Sequence, residues 1–138
     1  MRVLVLVKGD PDPDANSLPT EFFAAMNRFN DELTKAGVML AADGLFPSEK
    51  GKRVQFDGKE RTVIDGPFAE AKELVSGYWI WQVRSIDEAV EWLKRAPFEG
   101  GTVEIRPIAE PDEYPAGFTD ELKKQVERQR AEIAARQP

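Results

Sequence analysis

At 138 residues and a formal net charge of −6, the chain is long enough for one domain with a real core. It is too acidic for direct nucleic-acid binding, which rests on clustered Lys and Arg. It contains no cysteine and no histidine, which excludes disulfides, thiolate nucleophiles and His-activated nucleophiles and leaves acid–base chemistry to Asp, Glu, Lys, Tyr or a ligand's own groups.

"RVLVLV" (2–7) is a short, β-branched, continuously apolar run and reads as a strand buried on both faces. "DPDPDANSLP" (10–19) is a loop by its Pro, Asp and Asn content. From Thr20, Phe22, Met26, Phe29 and Leu33 fall at helical spacing, and Gly37 is the expected stop. "VMLAADGLF" (38–46) reads as a strand with Val38, Leu40 and Ala42 on one face and Met39, Ala41 and Asp43 on the other. Asp57-Gly58 between "RVQF" and "KERTVI" signals a hairpin. "GYWIWQV" (77–83) is a further strand. Ser85 and Glu88 then have capping-box spacing for a helix through Val90 and Leu93, stopped by Pro97. "TVEIRPI" (102–108) is the last strand, and a charged helix starts at Thr119 after a Pro-rich turn. No apolar run reaches the roughly 18 residues of a membrane span and no signal peptide opens the chain, so no membrane association and a cytoplasmic location are expected.

Without the hairpin and the tail the order is βαββαβ. That order favours an α+β, ferredoxin-like fold: a four-stranded antiparallel sheet with both helices on one face. Yet the strands are apolar on both faces, with Val3, Val5 and Val7 against Leu4 and Leu6, and Trp79, Trp81 and Val83 against Tyr78 and Ile80. A second copy packed sheet to sheet would cover the free face, so a homodimer is expected. The alternative cover is the terminal helix, whose stripe of Leu122, Val126 and Ile133 is thin.

The run "DGPFAEAKE…GYWIWQVRSIDEAVEWLKRAP", with "AADGLFPS" (41–48) and "VEIRPI" (103–108), closely resembles the DGPF-domain branch of the YCII-related family. The likeness covers residues 1–109, leaving 110–138 as an appended turn and helix. It implies a dimeric α+β barrel and delivers no activity. The broader group has a proposed His–Asp pair in a cleft, which cannot be carried over to a chain without histidine.

Asp43 and Asp65 are the catalytic candidates. Asp43 is either a desolvated base on a strand face with Met39, Ala41 and Leu45, or part of an exposed Asp43-Gly44 turn. Asp65 is either the cap of a helix beginning at Pro67, with Phe68 anchoring the turn, or a carboxylate at a cleft mouth. Phe68, Lys72, Trp81 and Arg106 are the candidates for ligand contact: Lys72 as a partner for an anion or else an exposed helical lysine, Trp81 with Trp79 as core or interface or else a stacking surface, and Arg106 with Glu104 as the lining of a polar cavity or the edge of a sheet.

Asp10, Asp12, Asp14, Asn16 and Glu21 match calcium-loop positions, but Ala15 stands where the sharp turn needs glycine. No metal or other cofactor is therefore expected. Two classes of function stay open: a small-molecule-binding protein, extending to a carboxylate-based lyase, isomerase or hydrolase, and a non-catalytic dimeric interaction module.

Overall fold

A computed structural model describes residues 1–11 and 18–136. They divide into two units, 1–107 and 108–138. The first contains β1 (Arg2–Lys8), α1 (Thr20–Lys35), β2 (Met39–Gly44), β3 (Lys52–Asp57), β4 (Glu60–Asp65), β5 (Val75–Gln82), α2 (Ile86–Leu93) and β6 (Val103–Pro107). The second holds a 3-10 turn at Pro111–Glu113 and α3 (Asp120–Arg136).

The main sheet has the order β2-β5-β1-β6, and every neighbouring pair is antiparallel. Each strand–helix–strand half is split by a strand of the other half, which is the topology expected from βαββαβ. One face carries Val3, Val5, Trp79, Trp81 and Val83, packed with Phe29 and Leu33 of α1 and Ala89 of α2. Both helices therefore lie on that face. The opposite face presents Leu4, Leu6, Tyr78 and Ile80, none of them fully buried.

Helix ends follow local chemistry. At the end of α1, Gly37 adopts φ 74°, its N–H donates to the Thr34 carbonyl, and the Val38 N–H donates to the Leu33 carbonyl. This left-handed exit satisfies two terminal carbonyls and seats Val38 in the core. Ser85 Oγ accepts from the Glu88 N–H at 3.1 Å, forming half of the expected box. The Glu88 carboxylate turns instead to Arg84, which lowers its pKa chiefly through that side-chain hydrogen bond.

The face assignment for β2 is corrected by a bulge. Met39 pairs with Trp81, the register then slips, and Ala41, Ala42 and Asp43 pair with Ile80, Trp79 and Tyr78. Residues directly opposite in an antiparallel pair share a face. Met39 and Ala42 thus point to the core, while Ala41 and Asp43 share the outer face; the extra residue reverses the alternation between them.

The hairpin forms, one residue later than the Asp57-Gly58 signal suggests. Asp57 pairs with Glu60, so Gly58 and Lys59 make the loop, with Gly58 at φ 56°. A glycine at the first of two loop residues suits the strand twist. Strands β3 and β4 make a separate two-stranded sheet with every residue exposed, including Phe56 at 71%.

In the second unit, Thr119 Oγ1 accepts from the Leu122 N–H at the start of α3, as expected. Tyr114 and Phe118 meet edge to face at 4.8 Å. Among the described residues, α3 carries the ion pairs Arg128–Glu132 and Arg130–Glu110.

Candidate functional site

The candidate residues separate into two places. One is the outer sheet face, where β2 and β5 place Asp43 directly beside Tyr78. Tyr78 Oη donates to Asp43 Oδ2 at 2.8 Å. The hydrogen bond and the carboxylate charge both favour the protonated phenol, so the Tyr78 pKa is raised above its ordinary 10.0. Asp43 is exposed and its face-mate is Ala41; the expected company of Met39 is lost to the bulge.

The row across this face runs Asp43, Tyr78, Leu6, Glu104, and the next runs Ala41, Ile80, Leu4, Arg106. Arg106 is exposed and reaches Glu104 at 3.4 Å. It stands at the far edge from Asp43, three strand spacings across and one row along, about 16 Å away. One chain alone does not bring Asp43 and Arg106 together.

The Tyr78 titration gives a direct check. The phenol should lose its proton above its ordinary range, and in Asp43→Asn the pKa should fall back towards 10.0 as the carboxylate charge disappears. Because the folded pKa is the higher one, the linked stability is fully present below the unfolded pKa. It is lost as pH rises through the folded pKa. Ultraviolet titration of the phenol in both proteins checks the order.

The second place is the corner around 65–68. The cap expected at Asp65 is not formed: the Asp65 carboxylate pairs with Lys52 across the hairpin base, and the segment that follows holds a 3-10 turn at Ala71–Glu73 in place of an α-helix. The Phe68 N–H, which a cap at Asp65 would use, donates to Ser48 Oγ at 3.1 Å. Ser48 in turn gives its N–H and its Oγ–H to the two Asp10 carboxylate oxygens, at 2.7 and 2.5 Å. Gly66 N–H donates to the Gly51 carbonyl, and its peptide to Pro67 is cis.

Phe68 is half-buried under the Arg53 guanidinium, 3.9 Å from the ring centre, and Arg53 also reaches Glu73. The corner is thus a clamp on the hairpin base, made of residues with structural partners. Lys52 and Asp65 are 67% and 73% exposed, so their pair contributes little. Asp65→Asn should change stability by less than about 0.5 kcal/mol in chemical denaturation. Lys72 is exposed on the 3-10 turn.

Trp81, read as a ligand-contact candidate, is instead a core residue. It is 0% exposed and packs against Phe29 and Trp79 on the helix-covered face. Its Nε1 is buried without a hydrogen-bond partner, whereas Trp79 Nε1 donates to Asn30 Oδ1 at 2.8 Å. Of the calcium-like loop, Asp12, Asp14 and Asn16 lie outside the described residues, and Asp10 is engaged by Ser48. Among the described residues no three acidic side chains are grouped to hold a metal ion.

The sequence does not show the partners of Tyr78, Ser48 and Asp10. Tyr78 was legible only as an apolar strand residue, because its pairing with Asp43 depends on the slipped register. Ser48 and Asp10 are 38 positions apart, and nothing local joins them.

The family model of the YCII-related domain matches residues 1–112. An uncharacterised protein of Rhizobium meliloti (strain 1021) is 33% identical over 87 residues, covering 59% of this chain and 70% of the relative. No helix among the described residues is long and apolar enough to cross a membrane.

Proposed function

Because the chain belongs to the YCII-related family, and on the strength of its Asp65-Gly66-Pro67-Phe68 segment within that family's DGPF branch, we propose that it acts as a dimeric α+β barrel. Two copies pack outer face to outer face and hold a small molecule in the cleft between them. The observation that carries this reading is the outer sheet face. Leu4, Leu6 and Ile80 lie there on the two central strands, only half-buried, beside the hydrogen-bonded Asp43–Tyr78 couple. An apolar face around a polar couple is the make-up of a ligand cleft once water is excluded. Asp43 is the base of any acid–base step on the bound molecule, and Tyr78 holds its carboxylate. Asp65 and Phe68 belong to the corner that clamps the hairpin, Lys72 stands exposed on the turn that follows, and Arg106 supplies a cationic edge to the sheet face.

A fragment screen read by backbone amide shifts tests the proposal. Binders should move the signals of Ala41, Asp43, Tyr78 and Ile80 together. Binders that move only the surface around Trp92 and Glu88, or around Phe22 and Phe98, where depressions of about 470 and 640 Å³ lie, would place the ligand elsewhere. That outcome would favour the non-catalytic reading of the sheet face.

A further inference from the structure

We infer that the Asp43–Tyr78 couple selects ligands that donate at least two hydrogen bonds from one planar group, such as an amidinium, a guanidinium or the amino edge of an aminated ring. The inference rests on the cleft reading above and narrows it to a ligand class.

The couple's one proton is already committed. Tyr78 Oη donates to Asp43 Oδ2 at 2.8 Å, so the phenol has no donor left to offer. What remains facing outward is a set of acceptors: Asp43 Oδ1, the spare lone pair of Oδ2, and the lone pairs of the phenolic oxygen. The carboxylate raises the Tyr78 pKa, so at neutral pH the phenol keeps its proton and its orientation. The neighbours on this face do not reverse the character of the spot. Ala41 and Ile80 occupy the adjacent row and Leu6 the next strand, and all three are apolar. Strand alternation puts three cations on this face: Arg106, which lies at the opposite edge and is turned to Glu104, and Arg2 and Lys8 on β1, in the rows beyond Leu4 and Leu6.

At the couple itself a ligand carboxylate or phosphate meets only acceptors and is desolvated with no new bond. A planar forked nitrogen group meets two acceptor oxygens on neighbouring strands, and its bonds to the carboxylate are charge-assisted. Packing against a second copy would dry the surroundings and strengthen those bonds.

Benzamidinium and benzoate are suitable probes, because they match in size and shape and differ in whether the group donates or accepts. Each is titrated into the full chain up to millimolar concentration, with amide and Tyr ring shifts read by NMR and the oligomeric state of the same samples read by sedimentation. Benzamidinium should bind about ten-fold or more tightly than benzoate, a margin of about 1.4 kcal/mol, and should move Asp43 and Tyr78. Asp43→Asn and Tyr78→Phe should each weaken benzamidinium several-fold while leaving the melting temperature close to that of the parent. Equal binding of the two probes overturns the inference, as does benzamidinium binding unchanged in both variants. Neither probe shifting Asp43 or Tyr78 in a dimeric sample overturns it as well. Benzamidinium binding at Asp43 in a monomeric sample would keep the donor preference and remove the intersubunit cleft.

Discussion

Trp81→Ala is expected to destabilise the first unit by about 3–5 kcal/mol, the range for emptying a large aromatic site. Trp81 is fully buried between the sheet and α1, against Phe29 at 6.3 Å and Trp79 at 5.7 Å, with Val3 opposite on β1 and Met39 opposite on β2. Removing the indole opens a cavity that four elements line, and a sheet held by pairing on both sides of β5 cannot collapse into it. Trp81→Phe separates packing from polarity. It keeps much of the volume and deletes the buried Nε1 donor that has no partner, so its cost should be well under half that of the alanine variant. Urea denaturation of the three proteins measures both. Equal losses for Ala and Phe would mean that the indole nitrogen is bonded in solution.

Gly66→Ala should be the most damaging single change outside the core. A Cβ built on Gly66 falls well inside contact distance of the Ser48 carbonyl oxygen and close to the Glu49 backbone. Both are backbone groups, so no side chain can swing away to make room. Ser48 is also fixed by Asp10 and by the Phe68 N–H. Relieving the clash therefore means breaking the clamp, with a loss of about 1–3 kcal/mol or more. Amide exchange should show β3 and β4 losing protection before β1 and β5 do, because the hairpin has no buried residue of its own and a two-stranded hairpin is marginal in water. Full protection of the hairpin in Gly66→Ala would show that something other than the clamp holds it.

These variants mark what could and could not be read from the chain. The four main strands were legible because each is a continuous apolar or alternating run, the first helix because Phe22, Met26, Phe29 and Leu33 recur at helical spacing, and the second because Ser85 and Glu88 mark its start ahead of Val90 and Leu93. The order βαββαβ then left few ways to arrange them. The bulge in β2 was not legible, since "MLAAD" alternates equally well in either phase. Only the pairing with Trp81 and Trp79 fixes which side chains turn inward. Asp43 was accordingly picked out for its chemistry and given the wrong neighbours. The motif Asp65-Gly66-Pro67-Phe68 has the residue types of a helix start, yet the hydrogen-bond donor that a cap would satisfy is taken by Ser48, 20 residues earlier. Local preference lost to a long-range partner.

The same slipped register creates the Asp43–Tyr78 couple and sets it on the outer face beside Ile80 and Leu6. Whether that face is covered by a second copy decides the account. Sedimentation velocity at micromolar concentration, on the parent chain and on Ile80→Lys, tests it most directly. The expected result is a parent species of twice the chain mass, and an Ile80→Lys protein that keeps its circular dichroism but sediments as a monomer, because a lysine at the centre of the face cannot be buried unpaired. A monomeric parent, or an Ile80→Lys protein that remains a dimer, would contradict it.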